Sequence, residues 1–244
     1  MLQVLNRRFK GWVVAIALAL STSLLSPTAA QAVIAVSLDS SNTTVNVASI
    51  YKVNKADRAT VLSKVVQSSQ STLPQAPGFL NVSILNGEDE NQIVALSQWK
   101  DLPSFQTYAA QQTQNKSGNV PSQVFACQVQ HTETRNTAPS FDKGDVIQFS
   151  QFKIKPGKDQ SELAAIIPQM MPGAFQTIPG LQWAVMCPST DNSTIALLAQ
   201  WSSRDDFKSL GQEAGYDKET NYWQDYANNE HGLYDVVKII ASNV

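Results

Sequence analysis

The chain has 244 residues, of which 43% are hydrophobic and 16% charged, with 11 Gly, 11 Pro, 2 Cys and 2 His. This apolar fraction is close to that of an average globular protein and excludes a disordered or collagen-like chain. The formal net charge of −2 gives no basic footprint for nucleic acid, and so few His and Cys exclude a zinc cluster with several such ligands. Composition therefore allows one large domain or two small ones and predicts no bound metal.

Residues 1–32 have the pattern of an export signal. Three basic residues within positions 7–10 precede an apolar stretch from Gly11 to Leu25, and a small-residue cleavage pattern ends at Ala32. The pattern predicts a mature chain that begins at Val33 and is periplasmic or secreted, or in the thylakoid lumen if the source is cyanobacterial. After cleavage no membrane contact is expected. The alternative is an uncleaved anchor.

The rest of the sequence repeats itself. Pro77-Gly78 and Pro179-Gly180 lie 102 residues apart, and at that offset Gln98-Trp99 matches Gln200-Trp201. The repeat predicts a first module over residues 45–136 and a second over residues 144–243. Residues 37–44 are interpreted as a mobile, polar lead-in.

Each module predicts six elements in the same order. Period-two alternation indicates strands, 3.6-residue spacing indicates helices, and Gly- and Pro-containing stretches indicate turns. The first module reads as strand 45–53, helix 56–73, strands 79–85 and 93–99, a helix from 103 and strand 123–132. The second reads as strand 145–154, a helix that Pro168 and Pro172 should kink or shorten, strands 181–187 and 195–201, a helix from 204 and strand 233–240. The order β-α-β-β-α-β is the ferredoxin-like arrangement of the α+β class.

These modules resemble the antibiotic biosynthesis monooxygenase (ABM) family of the dimeric α/β-barrel superfamily. The resemblance rests on residues 153–158 (KIKPGK), Pro179-Gly180, and the strand ending in Ala199-Gln200-Trp201 followed by Phe207. Members usually pair two ferredoxin-like subunits so that two sheets enclose a barrel. The resemblance implies that this chain forms a pseudo-dimeric α/β barrel within one polypeptide. Two independent ferredoxin-like domains are the alternative.

Strand alternation predicts which side chains line the barrel. The uniformly aliphatic faces are assigned to packing under the helices, and the mixed faces to the interior. The predicted interior residues are Ser49, Tyr51, Asn81, Ser83, Ser97, Trp99, Gln148, Ser150, Phe152, Trp183, Ala199 and Trp201. From this set, Tyr51, Asn81, Ser97, Trp99, Phe152, Trp183 and Trp201 are expected to contact a small, mostly apolar ligand. A core or rim role is the alternative for Trp99 and Trp201.

The family resemblance implies two chemistries. Members oxidise aromatic polyketides without a bound cofactor, whereas relatives degrade haem with an Asn on the first strand, a Trp ending the third and a His on the following helix. Trp99 and Trp201 match that Trp and Asn46 matches the Asn, but the helices after both tryptophans contain no His. Haem degradation is therefore disfavoured, and no cofactor is expected.

The residues alone assign no catalytic group. His131 and His231 are interpreted as surface residues, and no catalytic triad order or phosphate-binding loop is visible. Two functions stay open. One is a cofactor-independent monooxygenase acting on a small aromatic or apolar molecule. The other is a non-catalytic small-molecule-binding or stress-related protein that keeps the barrel. Further association into a homo-oligomer is possible for either.

The two cysteines predict a contact between the modules. In a ferredoxin-like sheet the second and fourth strands are the edges, and barrel closure places the fourth strand of one module beside the second strand of the other. Cys127 lies on the fourth strand of the first module and Cys187 on the second strand of the second. We expect them to be neighbours, and export makes a disulfide permissible. The alternative is two buried free thiols.

Overall fold

The computed structural model describes residues 36–40, 43–87, 91–114, 120–136, 138–209 and 221–243, which belong to one compact unit. The predicted export signal lies outside the described residues. Within the described ranges, no helix has the length and apolar character needed to cross a membrane.

The elements follow the predicted order. They are, in chain order, β1 (Val36–Ser37), β2 (Val45–Lys52), α1 (Arg58–Thr72), β3 (Phe79–Gly87), β4 (Gln92–Trp99), α2 (Leu102–Gln114), β5 (Gln123–Cys127), β6 (His131–Thr134), β7 (Ser140–Phe141), β8 (Val146–Ile154), α3 (Gln160–Thr177), β9 (Leu181–Pro188), β10 (Thr194–Trp201), α4 (Arg204–Ser209) and β11 (Ala227–Ala241). Short 3₁₀ turns occupy Leu73–Gln75 and Asn221–Trp223. We call β2 to β6 the first half and β8 to β11 the second half. The predicted α+β class with ferredoxin-like modules is confirmed.

Nine strands form one antiparallel sheet in the order β5-β2-β4-β3-β11-β8-β10-β9-β6. The strands at its two ends, β5 and β6, follow each other directly in the chain, so the sheet closes into a barrel. An isolated antiparallel β-bridge pairs the backbone of Cys127, at the end of β5, with that of Ser189. The Gln130 amide also donates to the Met186 carbonyl at 3.0 Å. The predicted intrachain barrel is therefore confirmed.

The last strand of each half pairs with both halves. The first part of β11 pairs with β8, and its last part, from Asp235 to Ala241, pairs with β3. In the first half two separate strands share these pairings. Strand β5 pairs with β2 of its own half, and β6 pairs with β9 of the other half. Backbone hydrogen bonds therefore join the halves along two seams, β11–β3 and β6–β9.

Apolar side chains form three layers around this sheet. One cluster fills the barrel interior and draws on both halves, including Leu85, Leu96, Phe125, Phe149 and Val185. A second lies between the first half of the sheet and helices α1 and α2, and a third lies between the second half and helix α3. Burial of each large aliphatic side chain contributes about 1.5–3 kcal/mol, so all three layers stabilise the fold.

Helix α3 is not shortened by the two prolines it contains. It runs unbroken from Gln160 to Thr177, and Asp159 caps its start by accepting a hydrogen bond from the Ser161 amide. Pro168 and Pro172 were expected to kink or shorten the helix, and the shortening is wrong. Side chains at four-residue intervals pack on the sheet and offset the two lost backbone hydrogen bonds. They are Leu163, Ile167, Met171 and Phe175.

The first residues of the lead-in pack on the barrel, whereas a mobile segment was predicted. Strand β1 pairs with β7, and Val36 and Leu38 are buried in the interior cluster together with Phe141. The Gln98 side-chain amide also donates to the Ser37 carbonyl at 2.8 Å. Apolar residues at alternate positions explain this packing, because period two places both on one face of a strand.

The predicted division of strand faces is wrong for most of the lining residues. Strand β3 pairs with β4 so that Asn81 lies opposite Gln98 and Ser83 opposite Leu96. From Asn81 onward, odd-numbered residues of β3 therefore share the interior face with even-numbered residues of β4. Tyr51, Ser97, Trp99, Phe152 and Trp201, together with Ser49, Gln148, Ser150 and Ala199, face the helices instead of the barrel interior. Asn81, Ser83 and Trp183 face the interior as predicted.

Candidate functional site

An aromatic cluster surrounds Trp99 between the sheet and helix α2. The Trp99 ring centroid lies 5.5 Å from that of Phe79, 5.7 Å from Phe105 and 5.1 Å from Tyr108. Its indole N–H donates to Ser97 Oγ at 2.9 Å, which satisfies the one polar atom of a side chain that is 0% exposed. We call these residues, with Tyr51, the Trp99 cluster.

Two phenols lie at the edge of the Trp99 cluster. Tyr108 Oη shares a hydrogen bond of 3.0 Å with Thr72 Oγ1 on helix α1, which ties the two helices together. Burial raises the pKa of Tyr108, and it also raises the pKa of Tyr51, with a further increase from the Tyr108 phenol nearby. Both phenols therefore stay protonated at neutral pH and are able to donate hydrogen bonds. The sequence reasoning missed Tyr108, although its spacing from Phe105 places both on one face of a helix.

A matching cluster surrounds Trp201 in the second half. Its ring centroid lies 5.3 Å from that of Phe207 on helix α4, whose ring in turn lies 6.4 Å from His231 on β11. The Trp201 indole N–H donates to Gln148 Oε1 at 3.2 Å, and Gln148 Nε2 donates to Ser150 Oγ at 3.0 Å. His231 is exposed, as predicted.

The acceptor for the indole N–H lies on a different strand in each cluster. In the first half Ser97 on β4 lies opposite Val47 on β2, and the serine is the acceptor. In the second half Ala199 on β10 lies opposite Gln148 on β8, and the glutamine is the acceptor. The polar residue is thus on the tryptophan's own strand in the first half and on the neighbouring strand in the second. Both arrangements place an oxygen beside the indole N–H.

The rest of the second-half aromatic group continues along the sheet. Phe152 lies 5.9 Å from Trp223, ring centroid to ring centroid. Burial raises the pKa of Tyr222 to about 12. Phe152 was expected in the barrel interior, and the structure places it with Tyr222 and Trp223 on the helix-facing side of β8.

Polar groups in the barrel interior form a separate network. Asn81 Nδ2 donates to Gln98 Oε1 at 2.8 Å, and Gln98 Nε2 donates to Asn46 Oδ1 at 3.1 Å. Asn46 therefore lies on the face opposite to Trp99, and the family's haem-degrading pair of an Asn beside a Trp is not formed by these two residues. Trp183, also interior, packs on Phe141 at 5.8 Å between ring centroids.

Cys127 and Cys187 form a disulfide between the halves. Their Cα atoms are 5.4 Å apart, inside the range that a disulfide can span. Among the described residues, no group of three or more His, Cys, Asp or Glu side chains could hold a metal ion.

The comparison with protein families assigns the first half. Residues 44–115 match the family described as antibiotic biosynthesis monooxygenase, and this range contains Tyr51, Trp99 and Tyr108. The resemblance drawn from the sequence is thereby confirmed, and residues 44–115 are an ABM domain. No curated protein sequence matches the chain significantly.

Solved structures share the fold over nearly the whole chain. An anthrone oxidase-like protein is similar with a TM-score of 0.69 and 15% identity, covering 86% of this chain and 97% of its own. A candidate monooxygenase from Fusobacterium nucleatum has a TM-score of 0.55 and 13% identity, covering 82% of this chain and 95% of its own. Another from Lactobacillus acidophilus has a TM-score of 0.50 and 10% identity, covering 82% and 97%. At these identities the likeness establishes the fold alone.

Proposed function

We propose that this protein is an exported, cofactor-independent monooxygenase that acts on a small aromatic or apolar molecule, bound on the helix-facing side of the sheet. The observation that carries the proposal is the Trp99 cluster. It lies inside the ABM domain and combines an aromatic wall with two protonated phenols. The anthrone oxidase-like neighbour suggests that anthrone-type compounds are the first substrates to test.

The side chains of the Trp99 cluster suit oxygenation of a substrate that supplies its own electrons. Oxidation of a ring CH₂ to C=O by O₂ places one oxygen atom in the product and releases the other as water, so no external reductant is needed. The reaction develops negative charge on the substrate oxygen, and neutral phenol donors in a buried site stabilise such charge. Tyr51 and Tyr108 are the residues assigned to that role.

Oxygen uptake with a panel of anthrone-type substrates tests this proposal. The wild-type protein is expected to consume oxygen. Trp99→Phe and Trp201→Phe are each expected to lower the rate of oxygen uptake, because each alters the site in its own half. Trp183→Phe removes an interior indole by the same chemical change. A rate that depends on Trp183 and not on Trp99 or Trp201 would place the substrate in the barrel interior and overturn the proposed site. No uptake together with no ligand-induced change in tryptophan fluorescence would exclude the enzyme.

One observation favours a second candidate, a non-catalytic binding or stress-related protein. Trp99 is 0% exposed and its N–H already has an acceptor, as expected for a side chain whose work is packing. In this case anthrone-type ligands change the tryptophan fluorescence but give no oxygen uptake.

Export and duplication complete the proposal. The pattern over residues 1–32 supports cleavage after Ala32. N-terminal sequencing of the protein recovered outside the cytoplasm is expected to begin at Val33, and a membrane-bound form that keeps Met1 would contradict cleavage. We also propose that residues 45–136 and 144–243 are two copies of one module. Light scattering will show whether the chain associates further.

A further inference from the structure

A cavity of about 320 Å³ opens where the two halves of the barrel meet. Phe149, Gln151 and Tyr234 line it from the second half, and Gln92 at the start of β4 lines it from the first. Phe149 and Tyr234 belong to the interior cluster, so these walls of the cavity lie on the opposite face of the sheet from the Trp99 and Trp201 clusters. His231, at the edge of the Trp201 cluster, also borders the cavity.

The cavity contains a buried amide oxygen that has no donor. Gln151 is 2% exposed, and its Oε1 atom has no hydrogen-bond partner among the described residues. Its side chain shares the interior face with Phe149, since both are odd-numbered residues of β8. A buried carbonyl oxygen without a donor destabilises a fold. This oxygen at the cavity indicates that a molecule from outside the chain supplies the donor.

The remaining groups define what that molecule is. Tyr234 Oη donates to Gln92 Oε1 at 3.2 Å, which orients both side chains across the junction of the halves. The Phe149 and Tyr234 rings meet edge to face with their centroids 6.2 Å apart and offer an aromatic surface. At the rim, Glu230 Oε2 accepts from Lys153 Nζ at 2.7 Å. Because this carboxylate already has a cationic partner, the site favours an uncharged molecule over an ammonium ion.

We propose that this cavity binds a small, uncharged ring compound with a hydroxyl group that donates to Gln151 Oε1 and a ring that packs on Phe149. Nothing in the proposed oxygenation uses these residues, so this is a second small-molecule site. Since both halves line it, occupancy also adds a bridge between them. The oxygenase proposal and this one fail separately, because oxygen uptake is tested with the tryptophan variants and binding with variants of Gln151.

The probe is resorcinol, a ring with two hydroxyl donors, compared with 1,3-dimethoxybenzene, which keeps the ring but has no donor. Titration of the full chain by NMR is expected to show saturable resorcinol binding, with shifts in residues 149–151 and 229–234. Loss of one neutral hydrogen bond corresponds to about tenfold in affinity. Gln151→Leu is therefore expected to weaken binding about tenfold. 1,3-Dimethoxybenzene is expected to bind the wild-type protein no more tightly than resorcinol binds the Gln151→Leu variant.

Gln182→Leu provides the matched control, since it makes the same change on β9, outside the residues that line the cavity. It should leave resorcinol affinity unchanged. Gln151→Leu removes an amide oxygen that has no partner, so its melting temperature should equal or exceed that of the wild type, which separates lost binding from misfolding. The proposal is overturned if resorcinol does not bind, if both probes bind equally, or if Gln151→Leu leaves the affinity unchanged.

Discussion

Trp99 and Trp201 show how a buried indole limits the residues around it. An indole buried without an acceptor is costly, so each half must place an oxygen near the strand end where its tryptophan lies. Ser97 meets this need from the strand of the tryptophan itself, and Gln148 meets it from the neighbouring strand. Neither solution was visible in the sequence, because the choice depends on which residues face each other across β2–β4 and β8–β10.

Two buried serines of the first half should respond oppositely to loss of their hydroxyl. Ser97 Oγ accepts from the Trp99 indole, whereas Ser83 Oγ is buried with no partner. Ser97→Ala should lower the free energy of unfolding by about 1–2 kcal/mol, because the indole N–H loses its acceptor. Ser83→Ala should leave it unchanged or raise it slightly. Urea unfolding of both variants measures the difference, and equal losses would contradict the assignment.

Tyr222 should make the fold sensitive to alkaline pH. Burial raises its pKa from the ordinary value of 10.0 to about 12. Below pH 10 the phenol is protonated in both states and its contribution to stability is fully present. Between pH 10 and about 12 the unfolded state loses the proton while the folded state keeps it, so stability falls as the pH rises. Tyr222→Phe should show a smaller fall in unfolding free energy across this window. Identical slopes for variant and wild type would contradict the burial of this phenol.

At the scale of elements, strand positions were predictable and strand faces were not. Alternation and Pro-Gly turns located the main strands, with β11 starting earlier than predicted and the fourth strand of the first half divided into β5 and β6. The face of each residue depends on pairing register, which the connection after Gly87 sets by joining it opposite Gln92. Irregular pairing near Phe79 and near Trp201 adds one further shift in each half. Five of the seven expected ligand-contacting residues consequently lie on the other face of the sheet.

The Pro-Gly turns show where a side chain cannot be added. A Cβ on Gly180 would overlap the Cβ and Cγ atoms of Asp206 at the start of helix α4, and Gly78 meets Ser104 of α2 in the same way. Each glycine therefore sets the distance between a strand and the helix that follows the tryptophan.

Gly180→Ala should lower the free energy of unfolding by about 1–3 kcal/mol, because Asp206 must move to admit the methyl group. Gly173→Ala is the control in helix α3, where a Cβ meets nothing within 4 Å. It should instead raise stability by about 0.5–1 kcal/mol, the usual gain from replacing glycine in a helix. Thermal and urea unfolding compare the two, and a stable Gly180→Ala variant would contradict the close approach.

At the scale of the whole molecule, the disulfide links two halves that hydrogen bonds also join. The cross-link closes a loop with a sequence separation of 60 residues. In the chain-entropy view, its loss costs about 4 kcal/mol. The Cys127→Ser, Cys187→Ser double variant should therefore unfold at lower urea concentration and match the reduced wild-type protein. Dithiothreitol should leave the double variant unchanged, since the chain contains only these 2 cysteines. A reductant effect on that variant would show that the stability change has another source.

The barrel itself was within reach of sequence reasoning because the two edge strands of each module must be covered. That requirement predicts that Cys127 and Cys187 are neighbours. The candidate site was harder to predict from the sequence, because helix docking positions Tyr108 and cross-strand pairing positions Gln148. Local patterns encode neither directly.

The single disulfide also records an asymmetry that an assembly of identical chains could not have. The repeat offset relates Cys187 to Leu85, and at the β11–β3 seam Leu85 lies opposite Val236, an apolar pair in the interior cluster. A homodimer carries the same pair of residues at both of its seams, so a cysteine pair at one seam is also present at the other. With both halves in one polypeptide, one junction is covalent and the other is held by packing and backbone hydrogen bonds. Each junction is thus free to change without the other, and a reducing agent acts on one side of the barrel alone.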